Sequence, residues 1–404
     1  MAQPGEYDYI IAGGGLHGCL AALAILHNAG DAKIALIEKD LKLGGSHTWS
    51  FFLHHIQPDA TDWVKPLISG EWNGYQVLFP GFHRKLKARY VSVTSENLHR
   101  VVSDRFARSS NSKLFYGDPV VSLTSDRVEL ESGVVLNGRL VLDARGPDEV
   151  FRRTGVQKFY GVEVLVERKS KNKGKDIKGL DHSIPCLMDA TVPQWDGYRF
   201  FYVLPFSFDR LLVEETFFSD NADIDAEASL KRIESYMHNK GWRIKEILRD
   251  ERGALTMPWG NPMSGHEERF FGRRWNNRSR SPIELGLRGG WFHPGTGYSF
   301  VQGTQTASLL GRYAPDPVPA KDVHALRSGL ERDSRFIRFL NWMLFRAAHP
   351  EKRSALMERF YTFPEDLIDR FYGCGLDFLD PWKLLFKDPP RPSFFKIVPK
   401  TGLR

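Results

Sequence analysis

Tyr7–Asp40 reads YDYIIAGGGLHGCLAALAILHNAGDAKIALIEKD. Tyr9–Ala12 has the character of a buried strand, and Gly13-Gly14-Gly15-Leu16-His17-Gly18 follows it directly. Leu20–His27 then reads as a helix, and Lys33–Glu38 as a second apolar strand that ends in an acid. A GxGxxG run is informative only in this strand–turn–helix–strand context. Gly13 permits the tight turn, Gly15 lets the backbone approach a pyrophosphate, and Gly18 allows close helix–strand packing. The phosphates would lie at the helix N-terminus, where free N–H groups and the helix dipole favour anions. Glu38 stands about 20 residues beyond the glycines, where a carboxylate accepts the ribose hydroxyls. The motif does not separate FAD from NAD by itself. Its place at the head of a long chain leans towards FAD.

Outward from this unit, the chain has 404 residues, 42% of them hydrophobic and 26% charged, enough for two subdomains with substantial cores. Aromatics make up 13%, which fits either large cores or a pocket for a large apolar ligand. The net charge of +7 is spread along the chain, with one basic run, Lys169–Lys175, that reads as a solvated loop. Such an excess also favours an anionic membrane surface. No nucleic-acid-reading pattern is present, so no nucleic-acid partner is expected. Cys19, Cys186 and Cys374 form no CxxC pair. That argues against a disulfide framework or zinc site, and no metal is expected; a reducing, cytoplasmic setting fits. The apolar stretch Tyr9–Leu26 carries the glycine cluster and lacks a basic lead, so it reads as neither signal nor membrane span.

Strand candidates continue at Tyr75–Phe79, Leu114–Tyr116, Val120–Leu123, Arg127–Leu130 and Val134–Leu136. Arg139–Ala144 is an apolar strand that runs into Asp143-Ala144-Arg145-Gly146, consistent with a return to the nucleotide sheet or with an ordinary strand exit. Gly197–Leu204 and Arg210–Thr216 form a hairpin candidate across Pro205–Asp209, in a separate antiparallel sheet. Glu284–Gly303 offers a short strand, Leu285–Arg288, a glycine-rich turn and a helix over Phe300–Leu310. Its backbone is a second candidate for approaching phosphate or a flavin ring. His293 in that turn is either an acid–base group or a structural hydrogen-bonding residue. From about Ala320 the chain is helical and aromatic: Phe336–Arg346 has Phe336, Leu340, Met343 and Leu344 at helical spacing, and Arg359–Tyr372 has a proline near the start of a helix.

Leu211–Phe218, LLVEETFF, sets two glutamates in an apolar run. Strand neighbours point to opposite faces, so Glu214 sides with Leu212, Thr216 and Phe218, and Glu215 with Leu211, Val213 and Phe217. One of them can face a ligand while the other faces the far side of the sheet, or both can be ion-paired, to Arg199 or Arg210.

Several segments together resemble the bacterial-type, soluble, flavin-dependent lycopene β-cyclases. They are Gly44–Phe51 (GGSHTWSF), Met188–Phe200 (MDATVPQWDGYRF), Arg210–Thr216 (RLLVEET), Phe292–Ser299 (FHPGTGYS), Asn341–Phe345 (NWMLF) and Arg359–Tyr372 (RFYTFPEDLIDRFY). His17 and Cys19 stand where that family usually has small residues. The resemblance implies an α/β fold with a glutathione-reductase-like FAD-binding Rossmann domain, an antiparallel-sheet substrate domain and a helical C-terminal region. The expected division is 1–45, 95–150 and 284–320 for the FAD domain, 46–94 and 151–283 for the substrate domain, and 321–404 for the helical region. It implies conversion of the acyclic ψ ends of lycopene, or a similar acyclic carotene, to β-ionone rings with no net redox change. It also implies reduced FAD, with NAD(P)H as reductant, and a peripheral position at the membrane that holds the polyene. Gly13, Gly15, Gly18 and Glu38 map onto the FAD motif, and Gly44, Gly45, Asp143, Gly295 and Gly297 are further cofactor candidates. Glu214 maps onto the family's acid, and Glu215 and His293 complete the catalytic candidates. Tyr198, Phe200, Tyr202 and Trp195 are the aromatic residues expected to stabilise a cation. A flavin hydroxylase or prenyl reductase on the same fold is the alternative, and a non-catalytic carotenoid-binding protein the third reading.

Overall fold

The structure, a computed structural model, describes residues 6–146, 153–168, 180–259, 282–387 and 392–395. The basic run at Lys169–Lys175 lies outside them. In chain order the elements that matter begin with β1 (Tyr7–Ala12), α1 (Leu16–Asn28), β2 (Ile34–Glu38), β3 (Thr48–Phe52), α2 (Thr61–Val64), β4 (Gly70–Trp72), β5 (Tyr75–Phe79), β6 (Phe82–Leu86), β7 (Tyr90–Thr94) and α3 (Ser95–Ala107). Next come β8 (Lys113–Tyr116), β9 (Val120–Leu123), β10 (Arg127–Leu130), β11 (Val135–Asp143), β12 (Thr154–Arg168), β13 (Cys186–Asp189), β14 (Tyr198–Pro205), β15 (Arg210–Ser219), α4 (Ala226–Asn239) and β16 (Trp242–Pro258). The chain closes with β17 (Ile283–Glu284), α5 (Gly286–Gly289), α6 (Phe300–Tyr313), α7 (Ala320–Trp342), α8 (Arg353–Phe360), α9 (Glu365–Tyr372) and α10 (Asp380–Phe386).

The first sheet has the order β8-β2-β1-β11-β10-β9, with β17 also on β11. β8, β2, β1, β11 and β17 pair in parallel, which requires crossover connections and puts helices on the faces. That explains why β1 and β2 read as apolar runs without alternation: they are buried on both sides. Two strands expected as separate, Val134–Leu136 and Arg139–Ala144, are one. The first half of β11 pairs antiparallel with β10, and the second half joins β1 in parallel. The polar Asn137-Gly138 step that looks like a break lies within a continuous ladder. A second expectation is also corrected. Leu285–Arg288 is not a strand; β17 stops at Glu284, and Gly286, at φ +62°, turns the chain into α5. That left-handed conformation suits glycine and ends the strand.

The second sheet has the order β16-β12-β15-β14-β13-β5-β6 and is antiparallel except at β13–β5. Its two faces carry separate cores. Tyr198, Phe200, Tyr202, Leu212 and Phe218 face one, closed by the C-terminal helices. Phe201, Val203, Leu211 and Val213 face the other, covered by α4. A three-stranded sheet, β3-β7-β4, bridges the N-terminal half to this scaffold.

One buried cation ties the C-terminal helices to the second sheet. The Arg353 side chain is fully buried at the start of α8. It donates to the carbonyls of Leu344 (3.0 Å), Phe345 (3.2 Å) and Phe218 (3.1 Å) and to the Asp220 carboxylate (2.9 Å).

Candidate active site

The nucleotide half is decided by what the glycine turn has room for. A Cβ on Gly13 would lie 2.5 Å from the Ala144 oxygen, and one on Gly18 2.0 Å from the Gly13 oxygen. Both positions therefore need glycine for the close packing of β1, α1 and the end of β11. A Cβ on Gly15 would meet nothing within 4 Å, so that side of the loop is open. The N-terminus of α1 has no side-chain cap and no acid in its first turn, which leaves its N–H groups for an anion. Glu38 ends β2 beside the loop and accepts the Gly14 N–H at 2.8 Å. Gly44 donates to the Gly14 oxygen at 2.9 Å, which fixes the Gly44-Gly45 turn against the same loop. Asp143 lies at the end of β11 beside Ala12, with Arg145 at 2.9 Å and Arg288 at 3.5 Å. This set fits the adenine-dinucleotide part of FAD.

His17 and Cys19 are absorbed locally. Cys19 donates through sulfur to the Gly14 oxygen at 3.2 Å. His17 packs where glycines stand at 286 and 303. Burial lowers its pKa to about 4, so the ring is neutral.

The second sheet places the two adjacent glutamates on opposite faces. Glu215 is fully buried on the α4 side, where Arg199 (2.7 Å) and Arg232 (2.7 and 2.8 Å) hold its carboxylate. Trp195 is on that side too, 42% exposed and stacked on the Arg199 guanidinium at 3.9 Å; it is thus separated from the Glu214 face where it was expected.

Glu214 is on the other face with Tyr198, Phe200 and Tyr202. Strand register puts Tyr202, Glu214, Gly161 and Glu251 in one row across β14, β15, β12 and β16. Gly161 has no side chain, and a Cβ there would lie 2.4 Å from Glu214 Cγ. Glu214 leans into that gap and meets Glu251. Burial and the neighbouring Glu251 carboxylate, which also hydrogen-bonds to it, hold the Glu214 pKa well above the carboxylate range; Arg249 opposes this more weakly. Glu251 is 3% exposed, and its Oε2 accepts from Arg249 (2.6 Å) and from Thr48 of the HTWS segment (3.0 Å). Arg249 also binds Glu163 at 2.7 Å. Glu251 had no signature in the sequence: it sits in WRIKEILRDERG, which reads as a solvated charged strand. The only pointer was HTWSF, the segment that supplies Thr48.

Two apolar chambers adjoin this row. The inner one is lined by Tyr90, Ser50, Tyr298, Phe200 and Phe218 among others. Tyr298 is close enough to feel the Glu214 charge, and it is linked to Gln157 and Tyr90. The outer chamber is lined by residues of α7 to α10 and shares Met188, Phe218, Thr296 and Tyr372 with the inner one. The two adjoin along these four residues, which stand between them as the inner and outer parts of an apolar passage. Beside its outer end, Leu384 and Leu385 of α10 face inward, whereas Phe378, Leu379, Trp382 and Phe386 are 56–86% exposed.

His293 lines the inner chamber. Its Nδ1 accepts the Gly295 N–H at 3.0 Å, and its Nε2 meets the Phe371 oxygen at 2.8 Å, which needs a proton on Nε2. Burial lowers its pKa to about 4. Both nitrogens are engaged in holding the loop to α9. Gly297, at φ +72°, packs against Leu255 of β16, and Gly295 against Ile337 and Phe371. The glycines thereby press the loop onto α7, α9 and the strand that bears Glu251. Nearby, His54 and His55 contact Asp369 Oδ1 at 2.6 and 3.1 Å and pin α9 to the turn after β3.

In fold, this α/β protein resembles FAD-dependent monooxygenases and related flavoproteins. A probable FAD-dependent monooxygenase from Pseudomonas aeruginosa superposes with a TM-score of 0.53 at 16% identity, over 91% of this chain and 99% of its own. A geranylgeranyl bacteriochlorophyll reductase-like protein from Thermoplasma acidophilum superposes with a TM-score of 0.57 at 13% identity, over 94% and 95%. At these identities the likeness is one of fold alone. Sequence narrows the class: residues 8–397 match the family described as lycopene cyclase protein. The chain is 36% identical to the lycopene beta-cyclase of Pantoea ananas over 96% of both chains, and 33% identical to that of a Paracoccus strain over 98% of both. It belongs to the lycopene cyclase family of enzymes.

Proposed function

We propose that the protein cyclises the ψ ends of lycopene, or of a closely similar acyclic carotene, to β-ionone rings, with Glu214 as the acid–base residue. The observation that carries this reading is a carboxyl group held protonated by burial and by Glu251, on the face of the sheet that borders an apolar passage. Glu214 gives its proton to the terminal alkene of the polyene, which leaves a tertiary cation. The π electrons of the second alkene close the six-membered ring and move the cation to the methyl-bearing ring carbon. Loss of the adjacent ring proton to the Glu214 carboxylate sets the ring double bond and restores the acid. Atoms and charge balance with no oxidant or reductant. Tyr202 and Phe200 share this face and offer ring faces to the cation, each contributing about 0.5–2 kcal/mol. The passage excludes water that would quench it.

FAD fits the glycine turn, and in reduced, anionic form it would supply negative charge beside the developing cation. Gly13, Gly15, Gly18 and Glu38 would hold its adenine-dinucleotide part, with Gly44, Gly45 and Asp143 beside them. Gly295 and Gly297 shape the loop that faces the chamber. NAD(P)H would serve only to keep the cofactor reduced. In this reading Glu215 is a structural anion and His293 a loop-holding residue.

The polyene dissolves in lipid and not in water, so it would enter from a membrane surface. We place that contact at Phe378, Leu379, Trp382 and Phe386, since they flank the passage and α10 contributes to both. Among the described residues no helix is long and apolar enough to cross a membrane. Replacing Phe378, Trp382 and Phe386 with Ser should lower co-sedimentation with anionic liposomes at least several-fold and slow turnover of liposome-borne lycopene. Turnover of detergent-dispersed lycopene should be kept; equal losses with both substrates would remove the patch from this role.

The test of the reaction is anaerobic incubation with lycopene and chemically reduced FAD, without NAD(P)H. A cyclic product of unchanged mass supports the cyclase. A saturated product, or a hydroxylated one that forms only once air is admitted, would support the alternative, a prenyl reductase or flavin hydroxylase.

A further inference from the structure

We infer that Glu251 is a positioning residue for the reaction: through the gap at Gly161 it forms a carboxylate–carboxylic acid pair with Glu214 and keeps the transferable proton on Glu214. The inference rests on Glu214 being the acid. Its own support is geometric. β12 is the strand between β15 and β16, so two acids at the same level would be separated by whatever side chain β12 carries there. At that level β12 carries Gly161, paired with Glu214 on one side and Glu251 on the other. Any other residue would put a Cβ 2.4 Å from Glu214 Cγ and block the meeting.

The pair is asymmetric. Oε2 of Glu251 is occupied by two donors, the Arg249 guanidinium at 2.6 Å and the Thr48 hydroxyl at 3.0 Å. Charge-assisted bonds of this kind favour the ionised form on that oxygen. On Glu214's face, Tyr202 and Tyr298 are hydroxyl-bearing neighbours rather than cations. One proton shared by two close carboxyl groups therefore resides on Glu214, because two like charges in a buried site cannot both ionise readily. The other charged and titratable groups around the pair are Arg249 on β16, Glu163 on β12, Glu96 on α3 and His47 before β3. Arg249 binds Glu251 and Glu163 and lies 3.7 Å from Glu96, so its charge is spread over several acids and does not neutralise Glu251 alone.

This arrangement makes a pH prediction that a merely structural role would not. Turnover requires Glu214 protonated, so it falls as pH rises through the Glu214 pKa. Glu251→Gln keeps size and hydrogen bonding but removes the charge that raises that pKa, and it leaves Arg249 to lower it. The alkaline limb of the kcat profile should move to lower pH by about one unit or more. Between the two limbs the variant should be about tenfold or more slower, with FAD binding and the KM for lycopene little changed. A Glu251→Gln limb that coincides with the wild-type limb would overturn the inference. Should that variant not accumulate as folded protein, the infrared band of the protonated Glu214 carboxyl, identified by its absence in Glu214→Gln, can be titrated in wild type and in Glu251→Asp. A lower midpoint in Glu251→Asp is expected, and an unchanged one would overturn the inference. A fully active Glu214→Gln would instead remove the reading on which the inference rests, so the two failures are distinguishable.

Discussion

Glu214→Gln should lower kcat for cyclisation by about 10²–10⁴-fold, the range that a positioned acid contributes. Glutamine fills the same space opposite Gly161 but cannot give up a proton to an alkene. The FAD site is formed by other strands, so visible absorbance of bound flavin and the KM for lycopene should be close to wild type. Assay by product formation in single turnover, with flavin content measured on the same sample, separates the two. Retained turnover would remove Glu214 from its role. The same variant has a stability signature. The folded Glu214 keeps its proton at pH values where the unfolded side chain, with a pKa near about 4.3, has lost it. The folded state then binds more protons than the unfolded one, so wild-type stability falls as pH rises from that value to the raised folded pKa. Glutamine has no such slope. The urea midpoint of Glu214→Gln relative to wild type should increase with pH across that window.

Arg353→Ala should destabilise the protein by about 3–5 kcal/mol, the cost of leaving buried carbonyls without a donor and a void where the side chain packed. Three backbone carbonyls, those of Leu344, Phe345 and Phe218, lose their donor in a fully buried position. The Asp220 carboxylate is 56% exposed and can be rehydrated, so it contributes little to the figure. The loss is structural first, because Arg353 joins the end of β15 to the turn after α7 and to α8. Loosening that joint opens the wall of the passage that Phe218 and Tyr372 share. A drop in the urea midpoint, with weakened lycopene binding at temperatures where the variant is still folded, is the expected result. A stability within about 0.5 kcal/mol of wild type, as for an ordinary surface change, would contradict it.

The nucleotide half was legible because its requirements are local. Gly13 and Gly18 are dictated by atoms a few residues away or on the adjoining strand end, and the glycines of a turn carry that demand in the sequence itself. The separation of Glu214 from Glu215 was legible for the same reason, since the pleat of a strand is a property of neighbours. Arg199 as a partner of Glu215 was one of two options, and hairpin register selects it, with Arg232 from α4 added. What the sequence hides is set by register among distant strands. Glu251 meets Glu214 only because β12 lies between their strands with Gly161 at that level; the charge-rich stretch around it looks solvated. Trp195 is close in sequence to Tyr198 and Phe200, yet it stacks on Arg199 behind the sheet. The continuity of β11 was obscured by a change of partner halfway along it, and Gly286 turns an apolar stretch into a helical turn where strand composition suggested otherwise.

The central claim is that a protein carboxyl group delivers one proton to the polyene and a ring proton leaves in exchange, without net redox. Anaerobic single turnover of lycopene by enzyme pre-equilibrated in deuterated water, with chemically reduced FAD and no NAD(P)H, tests it most directly by product mass spectrometry. The account predicts a cyclic product that carries one deuterium in the first ring formed and is otherwise an isomer of lycopene. A product with two added hydrogens or deuteriums, one with oxygen incorporated when air is admitted, or a ring free of deuterium would contradict it.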